Sequence, residues 1–315
     1  MKFRTEISIH QPIVNISHSD RILLMGSCFA ENMGNQLEAS GFQVNVNPFG
    51  VLYNPLSVAS GLQDLLQEKV FSEEDIFEYQ GLYSSWSHHS RFSGLTPQEC
   101  LEKMNGRMAL SAAFLKRTNV LMVTFGTAYV YRLKANGMIV SNCHKLPAGH
   151  FFQERPGVNE IVEVWSALVE TLKKQIPDLE IVLTVSPIRH WKDGAHENQL
   201  SKSILLLAVE KLQQQYGFIR YFPSYELVLD DLRDYRFYAD DMLHPSAAAM
   251  DYIWEKFSAA CFDEKTKLAM KEYHQIRRDL EHLPLHPESN EYKNFRAEAE
   301  KRLERFERLK TGKQI

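Results

Sequence analysis

Five short apolar runs punctuate the chain: RILLMG at 21–26, FQVNV at 42–46, VLMVTFG at 120–126, IVLTVS at 181–186 and FIRYF at 218–222. Runs of this length read as strands buried on both faces, which is the condition of strands in a parallel sheet. Helical patterns lie between them. In NEIVEVWSALVETLKKQI the residues Ile161, Val164, Leu168 and Leu172 recur at spacings of three and four, and Asn159 is read as the N-cap. Strand alternating with helix requires crossover connections, so the expected fold is α/β, a three-layer, open, mainly parallel sheet.

Two stretches break the alternation. TAYVYRLKANGMIVSN, residues 127–142, carries β-prone runs on either side of Ala-Asn-Gly and predicts a hairpin leaving the main sheet. Residues 69–96, rich in Phe, Tyr, Trp, Ser and His, show no clean period and predict an ordered insertion over one end of the sheet. After Cys261 the chain becomes charged helix, and Tyr292, Phe295, Ala299, Leu303 and Phe306 fall on one stripe of the final segment. The expected organisation is a domain over 1–262, with insertions at about 69–96 and 127–150, followed by a helical appendage over 263–315 that docks or forms a homo-oligomer contact.

With 315 residues and 44% hydrophobic composition the chain can bury a full core. A formal net charge of -4 supplies no basic field for a phosphate backbone, so small molecules are expected as partners rather than nucleic acid. The N-terminal stretch lacks the apolar run of about 7 to 15 residues of a secretory leader, and no stretch reaches the roughly 18 apolar residues of a membrane span. A soluble, cytoplasmic protein is expected, with no membrane partner. Cys28, Cys100, Cys143 and Cys261 are widely spaced and predict reduced thiols. Without a CxxC pair, and with Cys143 and His144 adjacent, zinc binding by Cys28, His89, Cys143 and His144 is not expected, nor is any cofactor.

The chemistry concentrates at the end of the first strand. Gly26 permits a sharp turn, Ser27 and Cys28 follow it, and the next helix, from Ala30 to about Ser40, has Gly41 as its stop. A helix N-terminus carries partial positive charge and is expected to push the Cys28 thiol toward thiolate. Far along the chain, Asp241 and His244 stand three apart just before another helix. That spacing lets the carboxylate accept from one ring nitrogen while the other faces outward as a base. Equally open on spacing alone, Asp241 caps a turn and His244 is a surface residue.

With both ends in view, the chain resembles the GSCFA-domain family, whose motif stands here as Gly26-Ser27-Cys28-Phe29-Ala30, and which looks like a branch of the SGNH (GDSL-like) hydrolases. The likeness extends over most of residues 1–262 and includes NPFGVLYNPLS (47–57), SWSHHSRFSG (85–94), NCHKLP (142–147), SPIRH (186–190) and the segment ending in DDMLHPS at 246. The resemblance implies a flavodoxin-like sheet and the order nucleophile, Asp, His. Laying Gly26 on the first glycine of the Gly-Asp-Ser block puts Cys28 on the nucleophilic serine, with Asp241 and His244 on the Asp-x-x-His block. The third block, Gly-x-Asn-Asp, has no counterpart: the third strand ends in Gly126-Thr127-Ala128.

The resulting expectation is an esterase, acyl hydrolase or acyltransferase working through a thioester on Cys28, with His244 as base and Asp241 orienting it; Ser27 is the fallback nucleophile. Candidate oxyanion donors are the Cys28 N–H, Gly50 and Asn142. His89, His144, Arg189 and His190 are the candidates for holding substrate. The substrate implied by the superfamily is a small-molecule or carbohydrate acyl compound. The alternative is a non-catalytic small-molecule or glycan-binding module on the same scaffold.

Overall fold

The computed structural model describes residues 4–9 and 12–310. The ends of the two expected segments, residues 1–3 and 311–315, therefore lie outside the described residues. Five strands form one sheet in the order β10 (Ile219–Tyr221), β9 (Glu180–Val185), β5 (Val120–Phe125), β1 (Arg21–Gly26), β2 (Gln43–Val46). Every pairing in it is parallel. Counting only these strands, the order is 2-1-3-4-5, the flavodoxin-like arrangement, and the direction of winding reverses beside β1.

Alternation along the central strands sorts the core into two layers. Leu23, Met25, Leu121, Val123 and Leu183 face one way, against α2 (Pro55–Leu66), α3 (Pro97–Leu115), α4 (Val158–Gln175) and α5 (Ala195–Gln215). Ile22, Leu24, Val120, Met122 and Val182 face the other, against α1 (Cys28–Ala39) and α7 (Ala247–Cys261). With helices on both sides the central strands expose no polar face, which is why they read as continuous apolar runs.

The hairpin around Ala-Asn-Gly exists: β6 (Val130–Leu133) pairs antiparallel with β7 (Ile139–Val140). It is wider than the sequence pattern shows, because β8 (Phe151–Glu154) joins the other edge of β6. The insertion before α3 holds a two-stranded hairpin, β3 (Phe77–Tyr79) with β4 (Leu82–Ser84), whose Phe77 stacks on Trp86 at 3.7 Å between ring centroids. After β10 come a short α6 (Ser224–Glu226) and a π-helical turn over Leu227–Asp231 that lead into the loop before α7.

Beyond Cys261, α8 (Glu264–Glu281) and α9 (Asn290–Lys310) pack together and dock on the domain at the far end of α1. Tyr273 lies against Gly41, and Phe306 stands edge-on to His18 at 5.1 Å. Of the predicted stripe, Ala299 and Phe306 are buried while Phe295 is exposed.

Candidate functional site

The corner after β1 is assembled from backbone constraints. Gly26 has φ +136°, and a Cβ there would sit 2.1 Å from the Thr124 carbonyl oxygen on β5. Its N–H donates to Asn47 Oδ1 at 2.9 Å, and its carbonyl accepts from the Leu52 N–H at 2.9 Å. Ser27 is the N-cap of α1: its Oγ accepts from the Phe29 N–H at 3.3 Å and its carbonyl from the Ala30 N–H at 2.9 Å. Ser27 is almost wholly buried. Cys28 opens the helix with its thiol in a cavity of about 430 Å³ at the carboxyl ends of the parallel strands.

Across that cavity stands the loop before α7. An isolated bridge between Tyr238 and Pro245 closes its base, and the Ala239 N–H donates to the His244 carbonyl at 2.8 Å. One oxygen of Asp241 accepts the Leu243 and His244 N–H groups, both at 2.9 Å; the other lies 2.5 Å from His244 Nδ1. With Nδ1 as donor to Asp241, Nε2 is left as acceptor, and it lies 3.9 Å from Cys28 Sγ. The two segments, 216 positions apart in the chain, thus meet at one mouth of the sheet.

Two ionisation states follow from these surroundings. The His244 and Leu243 N–H groups, with the imidazole, hold the Asp241 carboxyl down at about 2, so it is ionised at neutral pH. Burial pushes the Cys28 thiol up, outweighing the N–H groups of Cys28 and Phe29 that favour the thiolate. The expectation of a helix terminus driving Cys28 to thiolate is corrected: desolvation wins over the dipole, and the resting sulfur keeps its proton.

The remaining sequence candidates divide. Asn142, Arg189 and His190 line the same cavity as Cys28 and His244. Asn142 Oδ1 accepts from the His144 N–H at 2.8 Å, so its amide nitrogen is the part left for a ligand. Burial, with Lys202 and Lys192 nearby, holds His190 down to about 4, which makes it a neutral imidazole. Gly50, His89 and His144 are not among the residues that line the cavity. The Gly50 N–H donates to the Asn47 carbonyl at 2.8 Å and so is spent within a turn. His89 caps the 3-10 turn at Ser90–Phe92, and His144 is fixed between the Ser85 carbonyl (2.8 Å) and Ser90 Oγ (3.3 Å).

Sequence reasoning passed over Asn54 and Lys202. Asn54 lines the cavity and caps α2, its Oδ1 accepting from the Ser57 N–H at 2.8 Å. Lys202 is fully buried on α5, its ammonium donating at 2.6 Å to the Gly126 and Ser186 carbonyls at the ends of β5 and β9. Extending the stripe Leu212, Val209, Ala208, Leu205 back two turns lands on Lys202, Ser201 and Asn198, and a lysine on an apolar stripe was the available signal.

Burial brings the Lys202 pKa down from 10.5 to about 7. The folded protein therefore binds fewer protons than the unfolded chain between those values, and Lys202 makes stability rise with pH across that window and fall as pH drops toward 7. A Lys202→Met protein is expected to show a flatter dependence of Tm on pH between 7 and 10 than wild type, as measured by thermal melts in a pH series. An unchanged slope would remove Lys202 as its source.

Membership can now be decided, since the sequence profile of the GSCFA family matches residues 21–257, from the first residue of β1 into α7. The chain belongs to the GSCFA family. The match takes in both the Gly26–Ala30 corner and the Asp241–His244 loop. No match was found among curated proteins. Among solved structures, a candidate GDSL-like lipase from Parabacteroides merdae aligns at 14% identity and TM-score 0.41, covering 79% of this chain and 100% of that one. A family 3 carbohydrate esterase from Clostridium thermocellum aligns at 10% identity and TM-score 0.35, covering 76% of this chain and 95% of that one.

Proposed function

We propose that this GSCFA protein is an acyl hydrolase or acyltransferase that works through a thioester on Cys28. The observation that carries the reading is the alignment of Cys28 Sγ, His244 and Asp241 in one hydrogen-bonded line, open to a cavity beside the sheet. As the sulfur attacks an ester or thioester carbonyl, its proton passes to His244 Nε2, so no standing thiolate is needed. The imidazolium, stabilised by the ionised Asp241, then protonates the leaving alkoxide or thiolate. Water or another acceptor, deprotonated by the same nitrogen, attacks the acyl-sulfur carbon and releases Cys28 as thiol. The Cys28 N–H at the helix mouth, with the Asn142 amide across the cavity, supports the developing oxyanion. Each such donor contributes about 3 kcal/mol in related acyl transfers.

The test is a stopped-flow assay with short acyl esters and thioesters, together with mass spectrometry of acid-quenched protein. A burst of first product and an acyl adduct on the peptide containing Cys28 are expected. Replacing His244 with alanine is expected to lower kcat/KM by about 10² to 10⁴-fold, because attack then lacks its proton acceptor. Turnover that leaves no adduct on Cys28 in a quench fast enough to trap one would replace the covalent route with direct attack by water.

A further inference from the structure

We propose that the acyl substrate carries an anionic group, a carboxylate or a phosphate, and that Arg189 holds it. The inference rests on the proposed acyl chemistry for its setting and goes further by assigning the substrate's charge and the residue that selects it.

Arg189 follows β9 and lines the cavity of Cys28 on one side and a neighbouring cavity of about 470 Å³ on the other. Its side chain makes no hydrogen bond or ion pair with any of the described residues, and its Nε is buried without a partner. Acids are not scarce in the chain: Arg91, Arg155 and Arg302 each engage a carboxylate. Among the described residues no carboxylate lining either cavity makes an ion pair with Arg189. Asp241 is bonded to His244, Asp234 faces Arg236 at 3.7 Å, and Asp193 accepts from Gln153 at 3.0 Å.

Two lysines lie near the same cavity, although burial that brings Lys202 down to about 7 leaves it only partly charged at neutral pH. Lys202, fully buried behind the Cys28 cavity, is bonded to two neutral carbonyls and to no carboxylate. On the cavity wall the exposed Lys192 donates to the Tyr131 hydroxyl at 2.8 Å, with the Asp193 carboxylate close enough to favour its charged form. A cationic group taken from water without a partner is costly, and the buried Nε of Arg189, on the wall shared by the two cavities, is in that position. An incoming carboxylate or phosphate supplies the missing charge, and the planar fork of Arg189 offers it two parallel N–H donors. The second cavity, rimmed by Trp191, Tyr235 and Arg233, gives the rest of such a substrate room beyond Arg189.

Three probes share one thioester and differ in where charge lies. The butanoyl thioester of N-acetylcysteamine is neutral, the succinyl thioester adds a carboxylate to the acyl chain, and butanoyl-coenzyme A adds phosphates to the leaving group. At matched ionic strength one charged probe is expected to exceed the neutral one in kcat/KM by tenfold or more. In Arg189→Gln the ratio of charged to neutral is expected to collapse toward one, and Arg189→Lys to restore part of it. Charged and neutral probes within twofold of each other in wild type, or a ratio that survives Arg189→Gln, would overturn the assignment.

Should no probe turn over, the acyl chemistry fails while the anion site remains testable by calorimetric titration of Cys28→Ala protein with the same three compounds. Tighter binding of a charged probe, lost on adding Arg189→Gln, supports the site. Equal binding of all three, or none, refutes it.

Discussion

Thioester turnover by a Cys28→Ala protein is expected to fall at least on the order of 10³-fold below wild type, because removing the nucleophile leaves only binding and oxyanion contacts to accelerate the reaction. The comparison that gives this result meaning is Ser27→Ala. Ser27 is buried and its hydroxyl oxygen accepts from the Phe29 N–H, so its loss removes a helix cap and costs about 1 kcal/mol of stability. Ser27→Ala is therefore expected to lower Tm by a few degrees and to keep turnover within about tenfold of wild type. The opposite pattern, with activity surviving Cys28→Ala and lost in Ser27→Ala, would transfer the nucleophile to the hydroxyl. Steady-state assays and melts on the two proteins decide between them.

Gly26→Ala is expected to be the most damaging single-methyl change in the domain. A Cβ at 2.1 Å from the Thr124 carbonyl oxygen cannot be accommodated without separating β1 from β5, and the backbone there has φ +136°. Neither neighbour is a flexible side chain that can swing aside. Strain and overpacking together put the cost at about 3 kcal/mol or more, a fall in Tm on the order of 10 °C, or failure to accumulate folded protein. Chemical denaturation with circular dichroism measures it. A soluble Gly26→Ala protein of wild-type midpoint would mean that the corner is built differently.

Much of this arrangement is legible in the residues alone. The five parallel strands follow from runs too apolar to have a wet face, and FIRYF at 218–222 appears as β10 at Ile219–Tyr221. The helix from 159 begins slightly earlier: Gly157 is its cap, and Asn159 instead accepts from Lys211 on α5 at 2.9 Å. The partner of the Asn159 side chain lies on a helix far along the chain, which a local window cannot see. The strand β8 is hidden for the same reason, since FFQE has no period of its own and becomes a strand only by pairing with β6.

Within the site, the Gly26 turn and the Asp-x-x-His loop carry local signatures, so their residues stand out. Histidine and glycine candidates chosen by residue type fared differently. His89, His144 and Gly50 are consumed by turns and loop contacts, because a polar residue in a folded loop usually finds a nearby backbone partner. Lys202 is visible only as an oddity on an apolar stripe, and its meaning depends on which two carbonyls α5 brings it to.

The burial that keeps the proton on Cys28 also bears on how the protein endures its surroundings. Peroxide and alkylating reagents attack the thiolate form, so the desolvation that raises the Cys28 pKa also slows oxidation and alkylation of its sulfur.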